Sequence, residues 1–344
     1  MMEFTVKIDV GSKEPIYKQL LAQFERAVRD GRLAVGDQLP SMNDLAASTG
    51  ISKETVKKAY GILGKRGLVV PKQGKGFYVA DLSSDRRQQV LVLFDKFSVY
   101  KQIIFNTLAE RLGDHAELTI LTHNQSLDLF TYYLDTNLDR FDYYVVTPHF
   151  PLDEESQARA VKQIARIPNR KLVMLDRLQP GYPGHYGAIY QDFENDIYYG
   201  LTQGLDGRRH GSNLKVITLP QSLYGASIRK GVERFCTEHA IPVEFLTAAP
   251  EQISRGTTFL VLNSQLDEGL VDLARRIDAL GLKIGTDVRI ISYNESDMNE
   301  IVLNGLTTVS TDWRQMGRLA ADMILERRLS KVHCDFRMIR RNTF

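Results

Sequence analysis

The stretch LAASTGISKETVKKAYGIL, residues 45–63, decides how the N-terminal part of the chain is read. Just ahead of it, Ser41 is placed to cap a short helix, with Asp44 three residues on as an abbreviated capping box, and Leu45 and Ala46 face inward. The segment STGIS makes a tight turn. Ser52 then caps a second helix over residues 53–66, whose buried face carries Val56, Ala59, Tyr60 and Leu63 and which Gly67 ends. Upstream, residues 14–31 are expected to form an amphipathic helix, because Ile16, Leu20, Leu21, Phe24 and Val28 recur at helical spacing. The turn RLAVGDQLP (32–40) joins it to the first capped helix. Downstream, residues 68–71 and 77–80 are short apolar strands around Lys72-Gln73-Gly74-Lys75-Gly76, the pattern of a β-hairpin.

Helix, helix-turn-helix and hairpin in that order make a winged helix-turn-helix. Its charge is one-sided. Residues 51–79 hold Lys53, Lys57, Lys58, Lys65, Arg66, Lys72 and Lys75 against the single acid Glu54. Lys53 and Lys57 are four apart and share a helix face opposite Val56 and Tyr60, a face able to enter a major groove. The capped N-terminus at Ser52 offers backbone N–H groups to a phosphate. The hairpin tip, with its glycines and lysines, can approach a backbone or a minor groove. Lys58 or Lys65 taken singly can equally be solubilising. Residues 1–80 carry 13 Lys+Arg and 8 Asp+Glu, a charge of +5, and the remainder carries 31 and 34, a charge of −3. Such a split suits a polyanion binder joined to a separate sensor.

These residues resemble the GntR family, in PIYKQL (15–20), RDGRLAVGDQLPS (29–41), LAASTGISKETVKKAYGIL (45–63) and RGLVVPKQGKGFYV (66–79). The resemblance implies DNA contacts from Ser41, Asn43, Ser52, Lys53, Glu54, Thr55, Lys57, Gln73 and Gly74, to which the hairpin adds Lys72 and Lys75. Family members often place Arg at the positions of Asn43, Lys53 and Lys57. Lysine keeps the charge but lacks the fork that reads guanine, and Asn43 gives up the charge. Glu54 can accept from a cytosine amino group or pair with Lys58.

The polar stretch DLSSDRRQQ (81–89) reads as a linker. From Val90 a second rhythm begins: VLVLF (90–94), LTILT (118–122), YYVVT (143–147), KLVML (171–175), KVITL (215–219), TFLVL (258–262) and VRIIS (288–292), with helix-period segments between. Near-continuous apolar strands alternating with helices imply an α/β fold with parallel sheets covered on both faces. Ligands of such sheets bind beyond the carboxyl ends of the strands.

This larger part resembles the two-lobed sensor of the LacI/GalR family, itself like periplasmic sugar-binding proteins. The resemblance lies in KLVMLDR (171–177), QDFENDIYYG (191–200), SLYGASIRKGVERF (222–235), TFLVLNSQLDEGLVDLARRIDALGLKIGTDVRIISYNES (258–296) and LTTVSTDWRQMGRLAADMIL (306–325). A GntR head on this body is the arrangement of the arabinose-repressor type. It implies a winged helix-turn-helix over 1–80, a linker over 81–89 and a Rossmann-like, periplasmic-binding-protein-like domain over 90–344. The first lobe would span about 90–190 plus 309–330, and the second about 191–308 plus the C-terminal tail.

A sugar needs planar polar groups for its hydroxyls and an aromatic face for its CH patch. Strand-end positions supply Asp95, Phe97, His149, Phe150, Asp176, Arg177, Asn263, Tyr293 and Asn294. Asp176 and Arg177 can instead form a structural pair at the hinge. Relatives place a sugar-binding Arg three residues before a helix glycine, whereas Arg229 stands two before Gly231; either the turn is shifted, or Ser227 or Tyr224 substitutes. Asn263-Ser264 and Asn294 replace usual carboxylates, which points to a different sugar or a less polar one such as a deoxysugar.

Cys236 and Cys334 form no CxxC, and His123, His185, His210 and His333 have no metal-ligand spacing, so no disulfide, metal or cofactor is expected. GxSxG, HExxH and GxxxxGK[ST] do not occur, and no enzyme activity is expected. GLDGRRHG (204–211) reads as a connecting turn. Neither a signal peptide nor a membrane-spanning run is apparent, which places the protein in the cytoplasm. The expectation is a homodimeric repressor of a carbohydrate operon, with operator DNA and a small sugar-like effector as partners. The rivals are a regulator with an enzyme-derived, cofactor-binding body, and a sugar-binding transport-type protein without DNA function.

Overall fold

The computed structural model describes residues 6–9, 11–12, 14–29, 32–65, 67–72, 75–80, 87–204, 213–218, 222–262 and 268–344. The chain divides into two compact units, residues 1–86 and 87–344.

In the first unit, helix α1 (Ile16–Arg29) is followed by α2 (Met42–Thr49), α3 (Lys53–Lys65) and an antiparallel hairpin of β1 (Val69–Lys72) and β2 (Gly76–Val79). The apolar stripes meet in one core of Leu20, Leu21, Phe24, Leu45, Val56, Ala59, Tyr60, Leu63, Val69 and Val79. Tyr60 is its pivot. The ring lies edge-on to Phe24 and Phe77, and its hydroxyl donates to the Pro40 carbonyl at 2.8 Å. That bond satisfies the one polar atom of a fully buried ring. Ser41 caps α2 by accepting from the Asp44 N–H at 3.1 Å, and Ser52 caps α3 by accepting from the Thr55 N–H at 3.2 Å. Gly50 ends α2 in the left-handed region, φ 70°. The hairpin strands sit one residue closer to the tip than expected, with Lys72 opposite Gly76.

The second unit holds two six-stranded sheets. The first contains β3 (Gln88–Phe94), β4 (Ala116–Thr122), β5 (Tyr143–Val146), β6 (Leu172–Asp176), β7 (Gly187–Tyr190) and β13 (Lys331–His333) in the order β13-β7-β6-β5-β3-β4. All its pairs are parallel. The second contains β8 (Asn213–Ile217), β9 (Val243–Leu246), β10 (Thr257–Val261), β11 (Arg289–Tyr293), β12 (Thr307–Thr311) and β14 (Phe336–Ile339) in the order β14-β12-β11-β10-β8-β9. Only β14 runs antiparallel there.

The helices are α4 (Val99–Leu112), α5 (Leu127–Asn137), α6 (Glu154–Ile164), α7 (Phe193–Gly204), α8 (Gly225–Glu238), α9 (Glu268–Ala279) and α10 (Trp313–Leu325). Alternate residues of β3 feed opposite cores. Val90, Val92 and Phe94 pack with Ile104, Leu108 and Met316, while Leu91 and Leu93 pack with Phe130 and Phe150. A strand covered on both faces has no polar side, which is why VLVLF is a continuous apolar run.

The chain crosses between the lobes after β7, after β12 and after β13. The return to the first lobe was expected near residue 309. It comes after Thr311, because Thr308–Thr311 still pair with β14. The strands β7, β9, β13 and β14 are absent from the apolar runs of the sequence, being only three or four residues long and mostly at sheet edges. The turn expected at 204–211 falls almost wholly outside the described residues. Among the described residues, no helix is long and apolar enough to cross a membrane, and no group of three His, Cys, Asp or Glu is placed to hold a metal ion.

Candidate functional site

At the carboxyl ends of β3, β5 and β6 the first lobe buries a charged cluster. Lys101, in the first turn of α4, donates to the Asp176 carboxylate and lies 3.5 Å from Asp95 Oδ1. His149 Nε2 is 2.8 Å from Asp176 Oδ2, and Gln191 donates its amide to Oδ1 of the same carboxylate. Thr147 Oγ1 donates to Asp95 Oδ1 at 3.0 Å, and the Asp95 N–H donates back to Thr147 Oγ1 at 2.8 Å. Each charged member is less than a tenth exposed.

Burial alone would push the Asp176 carboxyl up, but the Lys101 ammonium and His149 beside it hold it well below the usual carboxylate range. Burial would likewise lower Lys101, yet Asp176 and Asp95 raise it, so the ion pair stays charged. Asp176 sits in the left-handed region at φ 75°. This is an uncommon backbone for a non-glycine residue and worth attention at a binding site.

The second lobe meets this cluster through Tyr224, which precedes α8. Its hydroxyl lies 2.5 Å from His149 Nδ1 and 3.3 Å from Arg177 Nη1. Its ring stacks on Phe193 at 4.1 Å and 6° between planes. At the hinge Thr311 Oγ1 donates to Gln191 Oε1 at 2.7 Å, tying the crossover after β12 to the crossover after β7.

The structure therefore brings Asp95, His149, Asp176, Arg177 and Tyr224 together. Asp176 and Arg177 do not pair with one another: Asp176 takes Lys101 and His149, and Arg177 takes Tyr224 and Gln157. Successive residues leaving a strand point to opposite sides, which separates the two side chains. Phe97 is an exposed aromatic between β3 and α4. Phe150 is fully buried, stacked on His123 at 4.8 Å, beneath the cluster. Arg229 is apart from it, paired with Glu233 at 2.7 Å and lying over Phe245. Ser227 is half-buried in the first turn of α8. Tyr293 is buried among Val309 and Phe336, and its hydroxyl has no hydrogen-bond partner among the described residues; nor has Asn294 Oδ1. Asn294 shares the left-handed backbone of Asp176, φ 76°. Asn263 lies outside the described residues.

Sequence reasoning missed Lys101, Thr147 and Gln191. For Lys101 a signal existed: it continues the buried stripe of Ile104, Leu108 and Leu112 at offsets of three, seven and eleven. A lysine on the core face of a helix requires an acid partner.

In the first unit Ser41, Asn43, Ser52, Lys53, Glu54 and Lys57 are all exposed, and Thr55 is half-buried. Lys53 and Lys57 lie on the face of α3 away from Val56 and Tyr60. Lys72 and Lys75 are exposed on the hairpin, Lys72 over the Tyr78 ring at 4.4 Å. Lys58, by contrast, lies over the Tyr17 ring at 4.0 Å and braces α3 against α1. Gln73 and Gly74 lie outside the described residues.

Residues 16–79 match the family model described as bacterial regulatory proteins, gntR family, and residues 216–333 match that of a periplasmic binding protein-like domain. The chain carries a GntR-family head on a periplasmic-binding-protein-like body. The match to the GntR head opens at the first residue of α1 and closes at the last of β2, so it covers the three helices and the wing. The match to the body runs from within β8 to the end of β13, so it covers most of the second lobe, without α7 and β14, and returns into the first.

Among curated relatives, the HTH-type transcriptional repressor YtrA of Bacillus subtilis is 34% identical over 76 residues, which are 22% of this chain and 58% of YtrA. The chain thus spans less than two thirds of that relative. Among solved structures, the trehalose repressor from Escherichia coli superposes with a TM-score of 0.58 at 14% identity, over 74% of this chain and 100% of that one. The Lac repressor bound to ONPG superposes with a TM-score of 0.58 at 16% identity, over 90% and 100%. At such identities these two show a shared fold and nothing more.

Proposed function

We propose that the protein is a cytoplasmic transcription regulator: the GntR-type head binds operator DNA and the two-lobed body senses a small hydroxylated ligand. One observation carries the reading. A capped helix with an exposed Lys53/Lys57 face and a basic wing shares a chain with a body whose strand ends gather polar, charged and aromatic side chains at the junction of two lobes. The first arrangement suits a phosphate backbone and a major groove. The second suits a sugar or sugar derivative, which needs planar hydrogen-bonding groups and an aromatic face.

A second copy of the chain would set two heads on the half-sites of a pseudo-palindromic operator. An effector that prefers one lobe arrangement would shift the spacing of the heads and change operator affinity, by no more than its differential affinity for the two arrangements. That the two relatives above are repressors favours repression as the sense, and the effector is then the signal that relieves it. The match of residues 216–333 to a periplasmic binding protein-like domain favours a sensor body over one derived from a cofactor-dependent enzyme. Within the head we assign the DNA contacts to Ser41, Asn43, Ser52, Lys53, Glu54, Thr55, Lys57, Lys72 and Lys75. Within the body we centre the effector site on Asp95, His149, Asp176, Arg177 and Tyr224.

The test is a thermal-shift screen of monosaccharides and their phosphates. A ligand held at 100 times its Kd raises stability by about 2.7 kcal/mol, and a hit should also alter the protein's affinity for its DNA. A body that melts at the same temperature in every sugar and sugar phosphate would contradict the sensor assignment.

A further inference from the structure

Among the described residues, the hydroxyl of Tyr224 is the one group of the second lobe that enters the hydrogen-bonded cluster of His149 and Arg177. His149 Nε2 faces the Asp176 carboxylate at 2.8 Å and so carries a ring hydrogen; in the neutral ring this leaves Nδ1 as an acceptor. The Tyr224 hydroxyl, 2.5 Å from Nδ1, donates to it, and the Arg177 guanidinium donates to the phenol oxygen at 3.3 Å. The hydroxyl thus uses its donor and an acceptor lone pair on two buried side chains of the first lobe. Its ring is anchored to the second lobe by the stack on Phe193. Burial pushes the phenol up, so it keeps its proton.

We propose that Tyr224 is a latch: its phenol closes the second lobe onto the first by standing where an effector hydroxyl would bind, so an effector must replace it. This rests on reading the cleft as the effector site. A sugar hydroxyl can take over both roles, donating to Nδ1 and accepting from Arg177. A carboxylate can accept from Arg177 but has no proton for Nδ1. The latch therefore favours ligands that present a neutral hydroxyl at this point. It also makes lobe closure a property of the chain itself, which the effector modulates.

The latch can be tested with no sugar present, so its failure is distinct from a failure of the effector reading. Nitroxide labels are attached at Glu155→Cys on α6 and Lys230→Cys on α8, exposed sites on opposite lobes, while the native Cys236 and Cys334 are buried. Interspin distances in the full chain are measured by double electron–electron resonance. Tyr224→Phe keeps the stack and removes the hydroxyl; its distance distribution should gain a longer population than the parent shows. Arg177→Gln, which leaves the phenol in place, should show a smaller change in the same direction. If Tyr224→Phe fails to melt cooperatively, Arg177→Gln decides alone. Distributions that match the parent would overturn the latch and make Tyr224 a fixed wall of the site.

Discussion

Lys101 holds a full charge inside the first lobe only because Asp176 and Asp95 meet it there. Removing it leaves two buried carboxylates sharing one site. Lys101→Met should cost about 3–5 kcal/mol in denaturant unfolding, and adding Asp176→Asn should recover part of that. A loss below about 1 kcal/mol would mean that water reaches the pair. His123, fully buried against Phe150 and Phe130, is pushed down by burial to about 4. Its folded value lies below its unfolded one, so the stability it contributes is present above about pH 6.5 and is lost as pH falls toward 4. Urea unfolding at pH 7 and pH 4.5 should show a drop of about 2 kcal/mol from this group. The drop should shrink in His123→Gln, whose Nε2 can keep the bond to the Thr147 carbonyl. Burial raises Asp196 to about 6, with the opposite sign, but it is common to both proteins and cancels in the comparison. Of these residues, Asp95, His149 and Asp176 were legible as polar positions just past apolar runs. Lys101 was not singled out although its place on the stripe of Ile104, Leu108 and Leu112 marked it as buried; what only the fold supplies is its pairing with Asp95 and Asp176.

Helix packing sets the positions of these side chains. A Cβ at Gly231 of α8 would stand 2.1 Å from the Glu194 carbonyl oxygen of α7, so the two helices touch backbone to backbone. Gly231→Ala should lower stability by about 1–3 kcal/mol, read as a fall in the melting temperature of the body. At Gly61, exposed within α3, an added Cβ meets nothing within 4 Å. There Gly61→Ala should raise stability by about 0.5–1 kcal/mol, because alanine lowers the entropy of the unfolded chain and favours helix. Melting curves that moved in the same direction for both variants would contradict this packing. Elements were legible where one physical signal dominated. The caps at Ser41 and Ser52 marked α2 and α3, and the two-sided burial of β3, β5, β6 and β10 produced continuous apolar runs. FRMI of β14 was hidden because it alternates and pairs antiparallel at a sheet edge, and GAIY of β7 because it is four residues long. Arg229 was drawn toward the site by its place beside Gly231, whereas α8 turns it outward to Glu233.

At the scale of the whole molecule, the basic head and the slightly acidic body divide the work by charge, +5 against −3. The two-part architecture was legible because each part announces itself in its own period, helical up to residue 66 and strand-alternating from residue 90. The Tyr224 bridge was not, since residues 149, 177 and 224 meet only after two sheets have formed and closed on a hinge. The central claim, that this chain reads DNA through α3 and the wing, is tested most directly by selection from a random duplex library with the full-length protein. Affinity for the enriched sequence is then measured at several salt concentrations. The expected result is an enriched inverted repeat, bound with a strong salt dependence. In Lys53→Ala/Lys57→Ala that binding should be lost or its salt slope should fall by about 0.9 for each phosphate contact removed, while the body melts at the parent temperature. A library that emerges from selection no different from its input, or a lysine-free α3 that binds the same sequence equally well, would contradict the claim.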